Sequence, residues 1–157
     1  MGGGGFTMEP VGGALDEFVL GLTTSPIPKI CFLPTASGDP GEQIGRFHAA
    51  FAGRSCEPVH LSLFRLGAHP VDLRSYLLAQ DIVYVGGGSM RNMLAIWRAH
   101  GLDEILRECW EQGTVLAGVE LAQFKAQKAH VDGLLDGARP RKMAAADNRP
   151  SPASLQR

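Results

Sequence analysis

The chain has 157 residues, of which 45% are hydrophobic and 20% charged, and its net charge is −1. These values are typical of one globular domain with its own core, and they argue against a general attraction to nucleic acid or to a membrane. No apolar run is long enough to span a membrane. Three widely spaced cysteines predict reduced thiols and a cytoplasmic location rather than a disulfide framework.

Helix and strand patterns alternate along the first 119 residues. Apolar residues at helical spacing predict amphipathic helices, and short apolar runs that end at proline or glycine predict buried strands. The first half of this region gives a helix on Leu15, Phe18, Val19 and Leu22, the strand "KICFLP", a helix on Ile44, Phe47 and Phe51, and the strand "PVHLSLF". A helix in "VDLRSYLLAQ" and the strand "DIVYVGGG" follow. The pattern then gives a helix on Met90, Met93, Leu94 and Trp97, a helix on Leu102, Ile105, Leu106 and Cys109, and the strand "TVLAGV". The alternation predicts an α/β fold with a mostly parallel sheet covered on both faces.

The composition changes near residue 120. Residues 1–119 carry 8 Lys and Arg against 12 Asp and Glu, whereas residues 120–157 carry 7 against 4, a net charge of +3. The second segment holds one aromatic residue, Phe124, and ends in a proline-containing polar run. Such a composition buries little apolar surface. We therefore predict an α/β domain over residues 1–119 and a divergent, basic, disordered tail over residues 120–157.

Two turns follow predicted strands at the sheet edge where α/β proteins usually bind ligands. The turn "PTASGDP" offers Thr35, Ser37 and Asp39, which suit a ligand but equally suit turns and helix caps. The sequence Gly86-Gly87-Gly88-Ser89 lets backbone N–H groups approach an oxyanion or a phosphate, and it also suits a plain tight turn. Arg91 stands where a dinucleotide fingerprint requires glycine, and no Walker lysine follows.

The third strand end has the position of a nucleophile elbow. In that motif, G-x-S-x-G, a sharp turn between a strand and a helix exposes a serine. Here the chain reads Gly118-Val119-Glu120-Leu121-Ala122. The first glycine is present, but Glu120 occupies the position of the serine.

Five stretches follow one another along the chain in the order "GGGGF", "CFLPTASGD", "YVGGG", "LAIWRAHGLDEILRECWEQG" and "VLAGV". With these stretches in this order, residues 2–119 resemble the peptidase E (aspartyl dipeptidase) family and the related cyanophycinases. The resemblance implies a three-layer, class I glutamine-amidotransferase-like α/β fold, incomplete in this chain. It also implies a serine-type peptidase that cuts after an N-terminal aspartate and needs no metal or other cofactor. The expected partner is a small peptide with N-terminal aspartate; neither nucleic acid nor membrane is expected, and a homodimer is possible.

The resemblance also assigns site residues. The family elbow reads Gly-x-Ser-Ala-Gly, so Glu120 replaces the nucleophile. The oxyanion hole maps to Gly88 and Leu121 within the Gly86–Gly88 loop and the elbow, and Ser89 replaces the usual asparagine. No counterpart of the family's histidine and acidic partner is recognised, so we expect a truncated, catalytically defective member. The alternative is a non-enzymatic domain that binds an acidic peptide or anion at the Gly86–Gly88 loop.

The remaining candidates favour structure over chemistry. The five histidines and three cysteines lack metal-ligand spacing, so no metal site is predicted. Cys109 is expected in the core rather than as a substitute nucleophile, and Trp97 and Trp110 are expected in the core as well. In the tail, five residues fit one amphipathic helix with a basic side, or a chance pattern: Leu121, Phe124, Lys128, Val131 and Leu135.

Overall fold

The structure is a computed structural model that describes Phe6 and residues 13–118. The helices are α1 (Ala14–Leu20), α2 (Gly41–Phe51), α3 (Leu73–Leu78), α4 (Met90–Ala99) and α5 (Leu102–Glu111), and the strands are β1 (Lys29–Leu33), β2 (Glu57–His60), β3 (Ile82–Val85) and β4 (Val115–Gly118). Short 3-10 turns lie at Thr35–Ser37 and Leu63–Arg65. The predicted boundary at residue 120 and the tail lie outside the described residues.

The four strands form one parallel sheet in the order β2-β1-β3-β4. The central strands β1 and β3 are almost fully buried, as expected of strands covered on both faces. The prediction of an α/β fold with a mostly parallel sheet is therefore confirmed. No helix within the described residues has both the length and the apolar character that a membrane span requires.

One face of the sheet is covered by α1 and α2 through an aromatic core. The ring of Phe6 lies 5.2 Å from that of Phe32 and 5.4 Å from those of Phe47 and Tyr84, in edge-to-face geometry. Edge-to-face ring pairs add to the stabilisation that burial itself provides. Phe32 and Phe47 are also stacked at 5.0 Å, so this layer joins α2 to the two central strands.

The other face is covered by α3, α4 and α5. Its core contains Leu33, Leu77, Leu102 and Cys109, each with no exposed surface, and Trp97 is 8% exposed. The expected core positions of Cys109 and Trp97 are thus confirmed, and the sheet with its two helical faces makes the predicted three layers.

The helical faces differ from prediction at two places. In α1 only Val19 of the four predicted apolar residues is buried, whereas Leu15 and Phe18 are exposed and Leu22 lies beyond the end of the helix. Trp110 is 65% exposed, so its predicted core position is wrong. It lies on α5 beside β4, at the outer edge of the sheet, where no other described element covers it.

Candidate functional site

A crevice is expected where the connections that follow two neighbouring parallel strands run in opposite directions along the sheet. The chain runs from β1 outward to β2 on one side, and β3 and β4 lie on the other side of β1. The carboxyl ends of β1 and β3 therefore mark the topological switch point, where open α/β sheets bind ligands. The turn at residues 34–39 follows β1, and the Gly86–Gly88 loop follows β3.

Backbone contacts bind these two loops directly to each other. The N–H of Gly86 donates to the carbonyl of Leu33 at 2.9 Å, and the N–H of Ser89 donates to the carbonyl of Ala36 at 2.7 Å. A Cβ atom on Gly88 would lie 2.3 Å from the Ala36 oxygen, and Gly88 has a φ of 141°. Only glycine fits this position. The contact with Ala36 is a reason for glycine that the sequence pattern alone does not reveal.

The glycine loop keeps two backbone donors available. Within the described residues, the N–H groups of Gly87 and Gly88 make no hydrogen bond, and Gly88 is exposed. Exposed N–H groups in a glycine loop ahead of a helix suit an oxyanion or another negative group. Ser89 is the N-cap of α4, and its hydroxyl accepts a hydrogen bond from the N–H of Asn92 at 3.4 Å. The loop thus carries both structural and potential binding groups.

The polar side chains of the "PTASGD" turn are used inside the protein. Thr35 is buried and accepts a hydrogen bond from the indole N–H of Trp97 at 3.4 Å. The Ser37 hydroxyl lies 2.9 Å from the Pro34 carbonyl and 2.7 Å from Gln43 Oε1. These contacts support the structural interpretation of the turn. A cleft of about 400 Å³ nevertheless lies between this turn and α4.

Asp39 joins the turn after β1 to the segment after β2. Its Oδ2 atom accepts a hydrogen bond from the Ser62 hydroxyl at 2.5 Å and one from the Phe64 N–H at 3.3 Å. The side chain is 7% exposed and the residue has a φ of 55°, a region in which aspartate is tolerated better than most residues. Asp39 therefore serves to hold the loops in place.

The end of β4 lies next to the glycine loop, but the predicted nucleophile position is not described. Val85 pairs with Gly118 in the parallel register, so the last residue of β4 neighbours the start of the Gly86–Gly88 loop. Glu120 and Leu121, the predicted elbow residues, lie outside the described residues. The structure therefore brings together the glycine loop and the strand that leads to Glu120.

One pair of polar residues near this edge was missed in the sequence. His48 Nε2 on α2 and His60 Nδ1 at the end of β2 lie 3.0 Å apart. Burial and the neighbouring His48 lower the pKa of His60, and Asp39 acts in the opposite sense. The two histidines are twelve residues apart on different elements, so no spacing signal predicts their contact. Within the described part of the chain, no group of three or more metal-ligating side chains occurs.

Comparison with known proteins identifies the class and then the family. A crystal structure from Listeria monocytogenes EGD-e, described as a "Putative Peptidase E Protein", superposes with a TM-score of 0.53 at 18% sequence identity, over 66% of this chain and 52% of that one. The described elements thus have the α/β fold of a peptidase E-like protein. The profile of peptidase family S51 matches residues 1–120, and the chain belongs to this family.

The chain is also similar to a curated protein, the "Uncharacterized peptidase YgaJ" of Bacillus subtilis (strain 168). It is 50% identical over 119 residues, which are 76% of this chain and 51% of that protein. The chain thus spans about half the length of the curated relative that it matches. The family resemblance predicted from the sequence is confirmed.

Proposed function

We propose that this chain belongs to a branch of serine-type dipeptidases that cut after an N-terminal aspartate, and that it is itself catalytically defective. The observation that supports the parent activity is the Gly86–Gly88 loop, whose Gly87 and Gly88 N–H groups are unpaired within the described residues. The loop follows Val85, which pairs with Gly118 at the end of β4. The basis for the defect is Glu120 itself.

The chemistry explains why a glutamate at this position removes the activity. In the parent reaction a serine hydroxyl attacks the peptide carbonyl, and the N–H groups of Gly88 and Leu121 stabilise the resulting oxyanion. Glu120 has no hydroxyl to attack with. Its carboxylate also carries the negative charge that the N–H groups of the site would otherwise stabilise on the substrate, so it competes with the transition state.

The expected loss of rate acceleration indicates whether the chain is a slow enzyme or an inactive one. In well-studied triad enzymes, removal of the nucleophile leaves a rate about 10³–10⁴-fold above that in water, whereas enzymes accelerate reactions by about 10⁶-fold or more. With the proposed defect, the chain therefore releases aspartate too slowly for an ordinary steady-state assay to detect.

The test is the release of free aspartate from an Asp-Leu dipeptide by the purified chain. A heat-denatured sample serves as the blank, and Ala-Leu as the control substrate. No release above the blank is expected. Release from Asp-Leu alone would contradict the proposed defect while supporting the aspartyl dipeptidase activity, and a Glu120→Ala variant would then report whether Glu120 takes part.

A second candidate function is binding of an acidic ligand without cleavage. It is favoured by the cleft of about 400 Å³ between the turn after β1 and α4, lined in part by Ser37, Gly38 and Asn92. The glycine loop is joined to the same turn through the hydrogen bond from Ser89 N–H to the Ala36 carbonyl. Titration calorimetry with an Asp-containing peptide tests it, with the matching Asn-containing peptide as control. A 1:1 isotherm for the acidic peptide alone supports binding, and the absence of heat from both peptides contradicts it.

A further inference from the structure

Two histidines from different elements meet at the β2 side of the sheet. Nε2 of His48, on α2, lies 3.0 Å from Nδ1 of His60, the last residue of β2. His60 is exposed and His48 is half-buried, so solvent reaches the pair. Neither histidine belongs to the proposed oxyanion site, and the function proposed above makes no use of them.

The same core residue supports both histidines. Phe32 on β1 is the register partner of His60, and its carbonyl accepts a hydrogen bond from the N–H of Leu61 at 3.0 Å. The ring of Phe32 also stacks at 5.0 Å on that of Phe47, the residue before His48, and both rings are fully buried. The two imidazoles therefore extend from backbone positions that the core keeps together, which lowers the entropy cost of bringing them to one ligand.

The distance between the two nitrogen atoms suits a shared metal ion. Imidazole nitrogens bind zinc at about 2.0–2.1 Å, so two of them on one ion at angles of about 90–110° are roughly 2.8–3.4 Å apart. The distance of 3.0 Å between His48 Nε2 and His60 Nδ1 lies within this range. The ring planes cross at 82°, so the rings do not stack, and rotation about their side-chain bonds can direct both lone pairs to one ion.

The protons of the two rings are compatible with such an ion. In a hydrogen bond between two neutral imidazoles, one ring donates its N–H and the other accepts through a lone pair. A metal ion requires both lone pairs, which are available when the protons lie on Nδ1 of His48 and Nε2 of His60. Binding to two neutral rings therefore moves one proton within the donor ring, by exchange with solvent, and releases no net proton.

The surrounding groups favour a transition metal over a hard cation. Besides burial and His48, the charges that act on His60 are Asp39, which favours its positive form, and Arg65, which opposes it. Their opposition leaves coordination, rather than attraction between charges, as the source of affinity. Mg²⁺ and Ca²⁺ need several oxygen ligands, whereas Cu²⁺, Ni²⁺ and Zn²⁺ bind well to imidazole nitrogen.

We propose that His48 and His60 form a binding site for one divalent transition-metal ion, Cu²⁺, Ni²⁺ or Zn²⁺, with water in the remaining coordination positions. The ion joins α2 to β2 and stabilises the folded chain, because the fold brings together two ligands that are twelve residues apart in the sequence. The spacing of the histidines in the sequence does not predict this site. The proposal does not depend on whether the chain hydrolyses peptides.

Titration calorimetry of the full chain, without a histidine tag, tests the proposal with NiCl₂. A 1:1 isotherm is expected for the unaltered chain, and MgCl₂ is expected to give no binding heat. His48→Gln and His60→Gln should each weaken Ni²⁺ binding by about tenfold or more, since even the loss of a group that only orients a metal ligand costs about that much. His100→Gln, which removes an exposed histidine at the end of α4, should leave the Kd unchanged. Absence of Ni²⁺ binding, or the same Kd in all three variants, would overturn the proposal.

An NMR experiment on the unaltered chain keeps the proposal testable if the variants fail to fold. Cu²⁺ is paramagnetic and broadens the resonances of the nuclei nearest to it, so a small fraction of CuCl₂ per chain reports which rings bind. The ring signals of His48 and His60 should broaden before those of the other three histidines. Broadening of His100 or His130 first, or of all five rings together, would overturn the proposal.

Discussion

The loops at the carboxyl ends of β1 and β3 differ from the outer side of β4 in how closely the described residues pack. At the carboxyl ends of β1 and β3, backbone hydrogen bonds and the Gly88 contact with Ala36 join the loops. At the outer side of β4, Trp110 and Leu116 are exposed beside an open groove. Within the described residues, the loops at the carboxyl ends of β1 and β3 are therefore joined to each other, whereas the outer side of β4 is open.

The glycine loop and position 120 carry different parts of the proposed function. The glycine loop depends on contacts within the S51-matching segment, residues 1–120, and those contacts are present. The family resemblance predicts the nucleophile position two residues after β4, where the sequence has Glu120. The proposed catalytic defect rests on this glutamate, and the proposed oxyanion site rests on the glycine loop.

The largest expected effect is on thiol reactivity. Burial raises the pKa of Cys31 to about 12, so only about 10⁻⁴ of this thiol is ionised at pH 8. Cys109 is also fully buried, with a raised pKa, but α5 borders the open groove. Cys56 is only partly buried. With Ellman's reagent we expect Cys56 to react first, Cys109 next and Cys31 last.

Single Cys→Ser variants assign the phases of this reaction. The order of Cys109 and Cys31 is the informative part, because it compares local opening at the β4 side with opening of the central strand. Reaction of Cys31 before Cys109 would contradict the expectation that the β4 side opens more readily than the central strand β1.

Gly88→Ala should cause the largest loss of stability among single substitutions at the switch point. Its Cβ would lie 2.3 Å from a backbone oxygen at a φ of 141°, so we expect a loss of about 3 kcal/mol or more in the free energy of unfolding. Gly45→Ala in α2, with open space around it, is the matched control and should be neutral or stabilising by up to about 1 kcal/mol. Urea denaturation measures both; equal effects would contradict the loop contact.

Asp39→Ala should have an intermediate effect. It removes the acceptor of the Ser62 and Phe64 donors and leaves alanine at a φ of 55°, so we expect a loss of about 1–3 kcal/mol. Asp39→Asn retains one oxygen acceptor and a residue type tolerated at positive φ, so its loss should be smaller. The same urea experiment compares the two variants, and a larger loss for asparagine would contradict the assigned role.

The smallest expected effect is the pH dependence that His60 contributes. Its pKa is lowered in the folded state by burial and by His48, so the unfolded chain binds the proton first as the pH falls. The stability contribution is present above the unfolded pKa of about 6.5 and is lost as the pH falls through the folded pKa. His60→Gln should flatten this part of the pH profile of unfolding between about pH 5 and 7. A steeper profile for the variant would contradict the sign.

The sequence predicted the fold well because buried parallel strands are continuous apolar runs. "KICFLP" and "DIVYVGGG" indicated β1 and β3 for this reason. The periodicity of α5 gave Leu106 and Cys109 correctly but not Trp110, since it identifies an apolar side of a helix and not what covers that side. The Gly88–Ala36 contact and the His48–His60 pair join residues on different elements, and no local pattern carries that information.

We propose that Glu120 leaves the chain without peptidase activity, although the Gly86–Gly88 loop is present. The most direct measurement is the rate at which the unaltered 157-residue chain releases aspartate from Asp-Leu. We expect a rate equal to that of the heat-denatured blank. Turnover above the blank, absent with Ala-Leu, would contradict it.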